Sequence, residues 1–190
     1  MHKAFKLLLN GMMTHLLRTI VLLMVPAMLA TAAAQPDEPD PVSMDRVVDL
    51  RVFLVRHAEN RPGEDSGLSA VGYERATALA NCLAHEGLLT IHATDTQRTR
   101  QTATAVAARL GLSTQIYDPD ELQELAGQLR EAEGPALVVG HSDTTPKLAE
   151  FLGGDPGPPI EEDEFDRLYE IFLTDGETRI TSQAECKVGP

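Results

Sequence analysis

The sequence VVDLRVFLVRHAEN at residues 47–60 is the most informative place to begin. Residues 52–55 form a short apolar run of β-branched and aromatic side chains, which predicts a buried strand. Arg56 and His57 follow this run directly. Such side chains are costly to bury without partners, and in open α/β sheets functional groups collect just beyond the carboxyl ends of the strands. We therefore expect an active site that begins at Arg56 and His57.

The rest of the chain alternates helical patterns with short apolar runs. Helices are predicted over residues 70–86, 98–110, 121–133 and 145–152, further strands over 88–93, 114–117 and 136–139, and a terminal hairpin over 168–173 and 178–182. Strands that alternate with helices predict a three-layer α/β domain, in which a mostly parallel sheet is covered by helices on both faces. The terminal hairpin adds some antiparallel pairing.

Two expectations concern which surfaces of these elements are buried. The first helix is expected to present Leu68, Val71, Ala76, Leu79, Ala80 and Leu83 to the core, and the third Leu122, Leu125, Ala126 and Leu129. The acidic run at residues 161–166, EEDEFD, is expected to be a solvated surface segment.

The composition is typical of a globular domain that does not bind nucleic acids. Of the 190 residues, 43% are hydrophobic and 24% are charged, so a packed core is expected. The formal net charge is −13 and aromatic residues make up only 4%. These values exclude a general DNA- or RNA-binding protein, which needs a basic surface and stacking platforms. An anionic substrate must therefore be held by a local cluster of cations.

The first 34 residues have the three parts of a secretory signal peptide. A basic beginning without acidic residues is followed by an apolar stretch at residues 20–30, and Ala32 and Ala34 form a small-residue cleavage motif. An uncleaved anchor helix is the alternative, but Pro26 interrupts the stretch, and a membrane span needs about 20 apolar residues. We therefore expect a periplasmic or secreted protein, without stable membrane insertion after cleavage.

The segment that follows is acidic and proline-rich. Residues 35–46 are expected to be an extended linker, and the folded domain is expected to cover residues 47–190. Cys82 and Cys186 are the only cysteines. In an oxidising compartment they could form a disulfide that ties the C-terminal tail to a helix. Two independent thiols are the alternative, and the sequence does not decide between them.

Four cationic or titratable side chains follow three of the predicted strands. Arg56 and His57 follow the first strand, Arg98 follows the second after a short turn, and His141 follows the fourth. Parallel strands place their carboxyl ends at one edge of the sheet, so these side chains can converge. Arginine forks match phosphate oxygens, and an imidazole is the natural nucleophile near neutral pH. Two neighbouring arginines disfavour protonation of His57. The group suits a phosphoryl transition state, which spreads negative charge over equatorial oxygens.

These motifs together resemble the histidine phosphatase superfamily, which has the phosphoglycerate-mutase-like fold. The matching segments are LVRHAE at 54–59, Leu68-Ser69 with Gly72, TDTQRTRQTA at 94–103 and VVGHS at 138–142. The resemblance implies that His57 is the nucleophile that becomes a phosphohistidine, that Arg56 and Arg98 clamp the phosphate and that His141 completes the pocket. It also implies that no metal or other cofactor is required.

The resemblance has one departure and one consequence for the reaction. Ala58 stands where the motif usually has glycine, as in small members of the family. Mutase members generally carry insertions that this chain lacks, so hydrolysis of a small phosphorylated substrate is expected rather than mutase activity. We therefore expect an exported phosphatase that hydrolyses phosphate monoesters.

Several questions stay open at the level of sequence. The acid that protonates the leaving group has four candidates, Asp118, Glu121, Asp143 and Glu59. A metal-dependent hydrolase is an alternative, because the pairs His57/Glu59 and His141/Asp143 could hold zinc, although two arginines beside a metal cation would be unfavourable. A phosphate-binding module without turnover is another alternative. The physiological substrate and the oligomeric state are not predicted.

Overall fold

A computed structural model describes residues 50–174 and 176–183. The predicted signal peptide, residues 1–34, and the predicted linker, residues 35–46, lie outside the described residues. Cys82 is disulfide-bonded, and the second cysteine, Cys186, also lies outside them. Within the described ranges, no helix combines the length and the apolar character that crossing a membrane requires.

The centre of the domain is a mixed sheet of six strands. They are β1 Arg51–Arg56, β2 Thr90–Ala93, β3 Thr114–Ile116, β4 Ala136–Gly140, β5 Arg167–Phe172 and β6 Thr178–Ser182. Their order across the sheet is β3-β2-β4-β1-β5-β6. The first four strands run parallel, and β5 and β6 form the predicted hairpin, antiparallel to β1 and to each other. The predicted α/β class with a mostly parallel sheet is confirmed.

Within the described part of the chain, four helices cover the sheet; the first three connect the parallel strands, and the fourth leads from β4 to β5. They are α1 Ala70–Cys82, α2 Gln97–Leu110, α3 Leu122–Arg130 and α4 Thr144–Phe151, and a 3₁₀ turn, Leu83–His85, follows α1. Ser69 caps α1, because its hydroxyl oxygen accepts a hydrogen bond from the Gly72 amide. Thr96 caps α2 through the Thr99 amide, and α2 ends at Gly111, which has the left-handed conformation that glycine favours.

Strand β1 is apolar throughout because both of its faces are covered. Val52 and Leu54 belong to a core cluster that includes side chains of α3 and α4. Phe53 and Val55, which point to the other face of the sheet, belong to a second cluster with side chains of α1 and α2. The helices therefore form one layer on each face, as the alternation of elements predicts.

The predicted buried faces of α1 and α3 agree with the structure to different degrees. The predicted core positions of α3 are all buried, whereas Val71 in α1 is 56% exposed. Gly72, Ala76, Leu79 and Ala80 are the buried residues of α1. Val71 is next to Gly72, and successive helical side chains are about 100° apart, so Val71 falls outside this buried face.

Candidate active site

The predicted site residues meet at the carboxyl edge of the parallel strands. Arg56 at the end of β1 lies opposite Gly140 at the end of β4, and β4 pairs in turn with β2. The amide of His57 donates a hydrogen bond to the carbonyl of Gly140, with an N–O distance of 2.9 Å. Arg98 reaches the same edge from the first turn of α2. Register between neighbouring strands thus brings distant sequence positions together.

These side chains surround a cavity of about 790 Å³. The lining residues are Arg56, His57, Arg98, Pro119, Asp120, Leu122, His141, Ser142, Asp143, Thr144 and Lys147. All four predicted site residues are among them. The cavity thus combines two guanidinium groups and two imidazoles with carboxylates and a further cation.

His57 is buried and has a defined tautomer. Only 5% of its surface is exposed, and its Nδ1 lies 2.8 Å from the carbonyl oxygen of Ala58. A carbonyl only accepts hydrogen bonds, so Nδ1 must carry the proton and Nε2 keeps its lone pair. The pKa of His57 is lowered to about 4: burial is the largest cause, and Arg98, His141 and Arg56 act in the same direction, against the opposing effect of the Ala58 carbonyl. The imidazole is therefore neutral at physiological pH.

The main cause of the low pKa of His57 differs from the expectation based on sequence, which named only the two arginines. The two arginines act in the expected direction, but burial is the largest cause. Sequence alone shows which charges are nearby along the chain. It does not show how completely the fold removes an imidazole from water.

His141 connects Arg98 to Thr94, a buried threonine. Its Nδ1 lies 3.5 Å from the Arg98 guanidinium, and its Nε2 lies 2.9 Å from the hydroxyl of Thr94. Because a guanidinium only donates, Nδ1 is the acceptor and Nε2 carries the proton. Burial lowers the pKa of His141, with a further contribution from Arg98. Its ring stands edge-on to that of His57, with 5.5 Å between the centroids.

Arg56 is held by a segment that the sequence did not associate with the site. Its Nη1 donates to the backbone carbonyls of Glu161, Glu162 and Glu164 at 2.9–3.0 Å. Its guanidinium also lies over the ring of Phe165, 4.2 Å from the centroid. Residues 161–163 are exposed, as expected for a solvated segment, but the expectation missed that the backbone of this run and Phe165 hold Arg56. The lone aromatic residue in this acidic run was the available sequence signal.

Hydroxyl groups support the backbone around the two histidines, and sequence reasoning did not identify them. Thr102 accepts a hydrogen bond from the Ala58 amide at 3.0 Å. Thr144 accepts one from the His141 amide at 2.9 Å. A Cβ atom at Gly140 would come within 2.7 Å of the Thr144 hydroxyl oxygen, so glycine before His141 leaves room for this support.

The structure separates the four candidate acids. Asp143 lines the cavity, whereas Asp118 and Glu121 line a separate cavity of about 150 Å³. The fourth candidate, Glu59, binds Arg75 through both carboxylate oxygens. Burial would raise the pKa of Glu59, but the Arg75 hydrogen bonds and the remaining contributions outweigh it and lower the pKa. Asp120, which was not among the candidates, also lines the cavity.

Of the two ligand pairs of the metal alternative, His141 and Asp143 both line the cavity, but His57 and Glu59 do not line it together. Glu59 is bound to Arg75 and does not line the cavity with His57. Among residues 50–174 and 176–183, no group of three or more His, Cys, Asp or Glu side chains has an arrangement that could hold a metal ion.

The sequence matches a known family over part of its length. Residues 52–135 match the model of the histidine phosphatase superfamily, branch 1. The probable phosphoglycerate mutase GpmB of Yersinia enterocolitica serotype O:8 / biotype 1B is 38% identical over 123 residues, which cover 60% of this chain and 55% of GpmB. The chain thus spans about half the length of the curated relative that it matches.

Solved structures share the fold at lower sequence identity. The protein histidine phosphatase SixA, solved with tungstate, aligns with a TM-score of 0.57 and 18% identity, covering 72% of this chain and 99% of SixA. A putative alpha-ribazole-5′-P phosphatase from Escherichia coli K-12 MG1655 gives 0.56 and 16%, covering 74% and 99%. Mycobacterial glucosyl-3-phosphoglycerate phosphatase Rv2419c gives 0.53 and 15%, covering 70% and 97%. The domain has the phosphoglycerate-mutase-like fold, and its homologues are found in the histidine phosphatase superfamily.

Proposed function

We propose that this chain is an exported phosphatase that hydrolyses phosphate monoesters through a phosphohistidine on His57. The observation that carries the proposal is the cavity in which His57, neutral and with an unprotonated Nε2, lies with Arg56, Arg98 and His141. A neutral imidazole is a nucleophile, and guanidinium groups match the oxygens of a transferring phosphoryl group. Family resemblance supports the same assignment.

Arg56 provides a specific donor for the phosphate. Its Nη1 is used on backbone carbonyls, but its Nε is buried and has no hydrogen-bond acceptor among the described residues. A buried donor without an acceptor costs roughly 1–3 kcal/mol. The Arg56 side chain also lines the cavity, and the proposal assigns an oxygen of the bound phosphate to its guanidinium. Arg98, whose guanidinium reaches His141, holds a second oxygen.

The proposed reaction has two balanced steps. In the first, Nε2 of His57 attacks phosphorus and the bond to the leaving-group oxygen breaks, while this oxygen takes a proton from a carboxylic acid. In the second, that carboxylate takes a proton from water as the water attacks the phosphohistidine, which releases phosphate and restores His57. The arginines stabilise the charge on the equatorial oxygens in both steps.

Asp143 is the proposed acid. It lines the cavity, and its negative charge raises the pKa of His141 against the other effects, which is consistent with a position close to His141. Asp120 lines the same cavity and carries the same carboxylate group. Asp120 is therefore a suitable control for Asp143.

The proposed substrates are small phosphate monoesters or an exposed phosphate on a larger molecule. A volume of about 790 Å³ leaves ample room beyond a phosphate group for part of a leaving group. SixA is named for protein histidine phosphate and Rv2419c for glucosyl-3-phosphoglycerate. These names show that the shared fold accommodates leaving groups of different chemistry, so a broad panel is the appropriate screen.

The test compares an aryl phosphate with alkyl phosphates in the purified chain. We expect the wild type to hydrolyse both and His57→Ala to lose turnover of both. Asp143→Asn is expected to slow the alkyl esters by about 10²–10⁴-fold, the usual contribution of a general acid. The aryl ester should be affected much less, because its leaving group needs less protonation.

Three results would contradict the proposal. Normal turnover by His57→Ala would exclude the phosphohistidine. An equal effect of Asp143→Asn and Asp120→Asn on the alkyl esters would exclude Asp143 as the specific acid. Binding of inorganic phosphate by the wild type without turnover of any ester would favour a phosphate-binding module.

A further inference from the structure

The segment that binds Arg56, residues 161–165, is itself hydrogen-bonded to Arg167. This residue begins β5 and is 8% exposed. Its guanidinium binds the carboxylate of Glu164 through two nitrogens, at 2.5 and 2.7 Å. The same guanidinium donates to the carbonyls of Pro158 and Pro159, at 2.5 and 3.1 Å. Arg167 therefore connects both ends of the loop that precedes β5.

A neighbouring tyrosine completes this anchor. Nη1 of Arg167 lies 3.1 Å from the hydroxyl oxygen of Tyr169, and that hydroxyl donates to the carbonyl of Pro156 at 2.8 Å. The guanidinium has five N–H donors, and the acceptors named here occupy its Nε and both of its terminal nitrogens. The loop from residue 156 to residue 164 is thus tied at several points to side chains of β5.

The opposite side of the same loop faces the candidate active site. The carbonyls of Glu161, Glu162 and Glu164 accept from Arg56. Phe165 packs under the Arg56 guanidinium, and its ring centroid lies 5.9 Å from that of His57. Whatever fixes this loop therefore fixes the orientation of Arg56 and covers His57.

We propose that Arg167 is a positioning residue for phosphate binding, which acts by fixing the loop that orients Arg56 and places Phe165 against His57. This inference rests on the proposed function and adds to it a residue outside the cavity. Arg167 does not line the cavity, and it lies 111 positions from Arg56 in the chain. It does not contact the phosphate and acts only through residues 161–165.

The geometry calls for arginine rather than for a positive charge alone. A planar guanidinium can bind a carboxylate with two parallel hydrogen bonds and still reach carbonyls on its other side. The ammonium of a lysine has three donors around a single nitrogen and cannot reproduce this arrangement. Without Arg167, the Glu164 carboxylate and the two proline carbonyls would lose these partners.

The test compares Arg167→Met and Arg167→Lys with the matched control Arg51→Met. Arg51 also binds two carboxylates, those of Glu86 and Glu170, but it lies at the amino end of β1, away from the cavity. Each variant is analysed for its melting temperature, for the Kd of inorganic phosphate by calorimetry and for kcat and KM with an aryl phosphate. The pKa of His57 is measured by NMR titration.

Both Arg167 variants are expected to bind inorganic phosphate about tenfold more weakly, the effect of losing roughly 1.4 kcal/mol of binding free energy. The pKa of His57 should rise from about 4 towards its usual value, because Phe165 no longer covers the ring as closely. Release of Arg56 would act in the same direction, because its charge lowers the pKa of His57, whereas Arg98 and His141 do not contact the loop in the proposal. Arg51→Met should lower the melting temperature but leave both values unchanged.

The inference would be overturned if the Arg167 variants kept the wild-type phosphate Kd and the wild-type pKa of His57. It would also be overturned if Arg51→Met changed these two values as much, because the effect would then be a general loss of stability. Neither measurement requires turnover. Absence of hydrolysis by the wild type would therefore contradict the proposed function without deciding the role of Arg167.

Discussion

At the scale of single residues, one backbone carbonyl sets the chemistry of the candidate nucleophile. The carbonyl of Ala58 accepts from Nδ1 of His57 and so leaves the lone pair on Nε2. Burial and three neighbouring positive or titratable groups keep the ring neutral. A backbone acceptor is available whatever the side chain at position 58, so the tautomer depends on local backbone geometry and not on Ala58 being alanine.

The pKa of His57 makes a prediction about acid conditions. The pKa of His57 is lowered in the folded protein to about 4 from an ordinary value of 6.5. The proposed nucleophile therefore stays unprotonated as the pH falls through 6 and 5. Activity should decline only as the pH approaches 4. The measurement is the pH profile of kcat/KM for two esters whose phosphate groups ionise at different pH.

The use of two different esters is the control for this experiment. An acidic limb that moves with the ester belongs to ionisation of its phosphate, whereas a limb common to both esters belongs to the enzyme. A common limb near pH 6.5 would show that His57 is open to water in solution and would contradict the buried site.

At the scale of elements, the start of α1 is packed directly against the loop that follows His57. A Cβ atom at Gly72 would lie 2.0 Å from the carbonyl oxygen of Glu59. Arg75, one turn further along α1, binds the Glu59 side chain. The helix and the loop thus meet at a contact that only glycine allows, and this contact fixes the chain just after the nucleophile.

Two helical glycines offer a direct comparison. Gly72→Ala should destabilise the domain by about 1–3 kcal/mol, the usual range for overpacking. Gly127→Ala, within α3, should stabilise it by about 0.5–1 kcal/mol, because nothing lies within 4 Å of the added Cβ. Denaturant unfolding of both variants measures the two free energies. Equal effects of the two substitutions would mean that the close approach at Gly72 does not exist in solution.

At the scale of the whole molecule, a negative protein holds a positive site. The formal net charge of the chain is −13, yet the cavity carries Arg56, Arg98 and Lys147. The parallel strands bring Arg56, Arg98 and His141 to one edge, where three cations, Arg56, Arg98 and Lys147, line the cavity with only two carboxylates, Asp120 and Asp143. Local concentration of charge therefore outweighs the overall balance at the site.

Export is a proposal that rests on residues 1–34. If residues 1–34 are removed, the protein loses Lys3, Lys6 and Arg18 and no acidic residue, so its charge changes from −13 to −16. Expression of the full chain in a Gram-negative host should yield a periplasmic or secreted product that begins at Gln35, as measured by intact mass. A product that retains residues 1–34 or stays in the membrane fraction would contradict it.

Much of the fold follows from patterns within short stretches of sequence. The apolar run at 52–55 is uninterrupted because β1 is covered on both faces. The alternation of strand patterns with helical patterns along the chain predicted the layers of the domain. The grouping of Arg56, His57, Arg98 and His141 followed from one rule, that parallel strands end at the same edge. Helix-capping residues and the glycines that end helices are also local signals. The ends of the predicted elements therefore lie within a few residues of the observed ends.

Other features required the tertiary structure, because they depend on partners far apart in the chain. Arg56 donates a hydrogen bond to the carbonyl of Glu161, which lies 105 positions further along the chain. Sequence periodicity does not indicate such a contact. Asp143 was one of four equivalent candidates until packing placed it at the cavity and Glu59 against Arg75. Likewise, the motif predicted His57 as a site residue, but the depth of its burial, the main cause of its low pKa, is a property of the assembled domain.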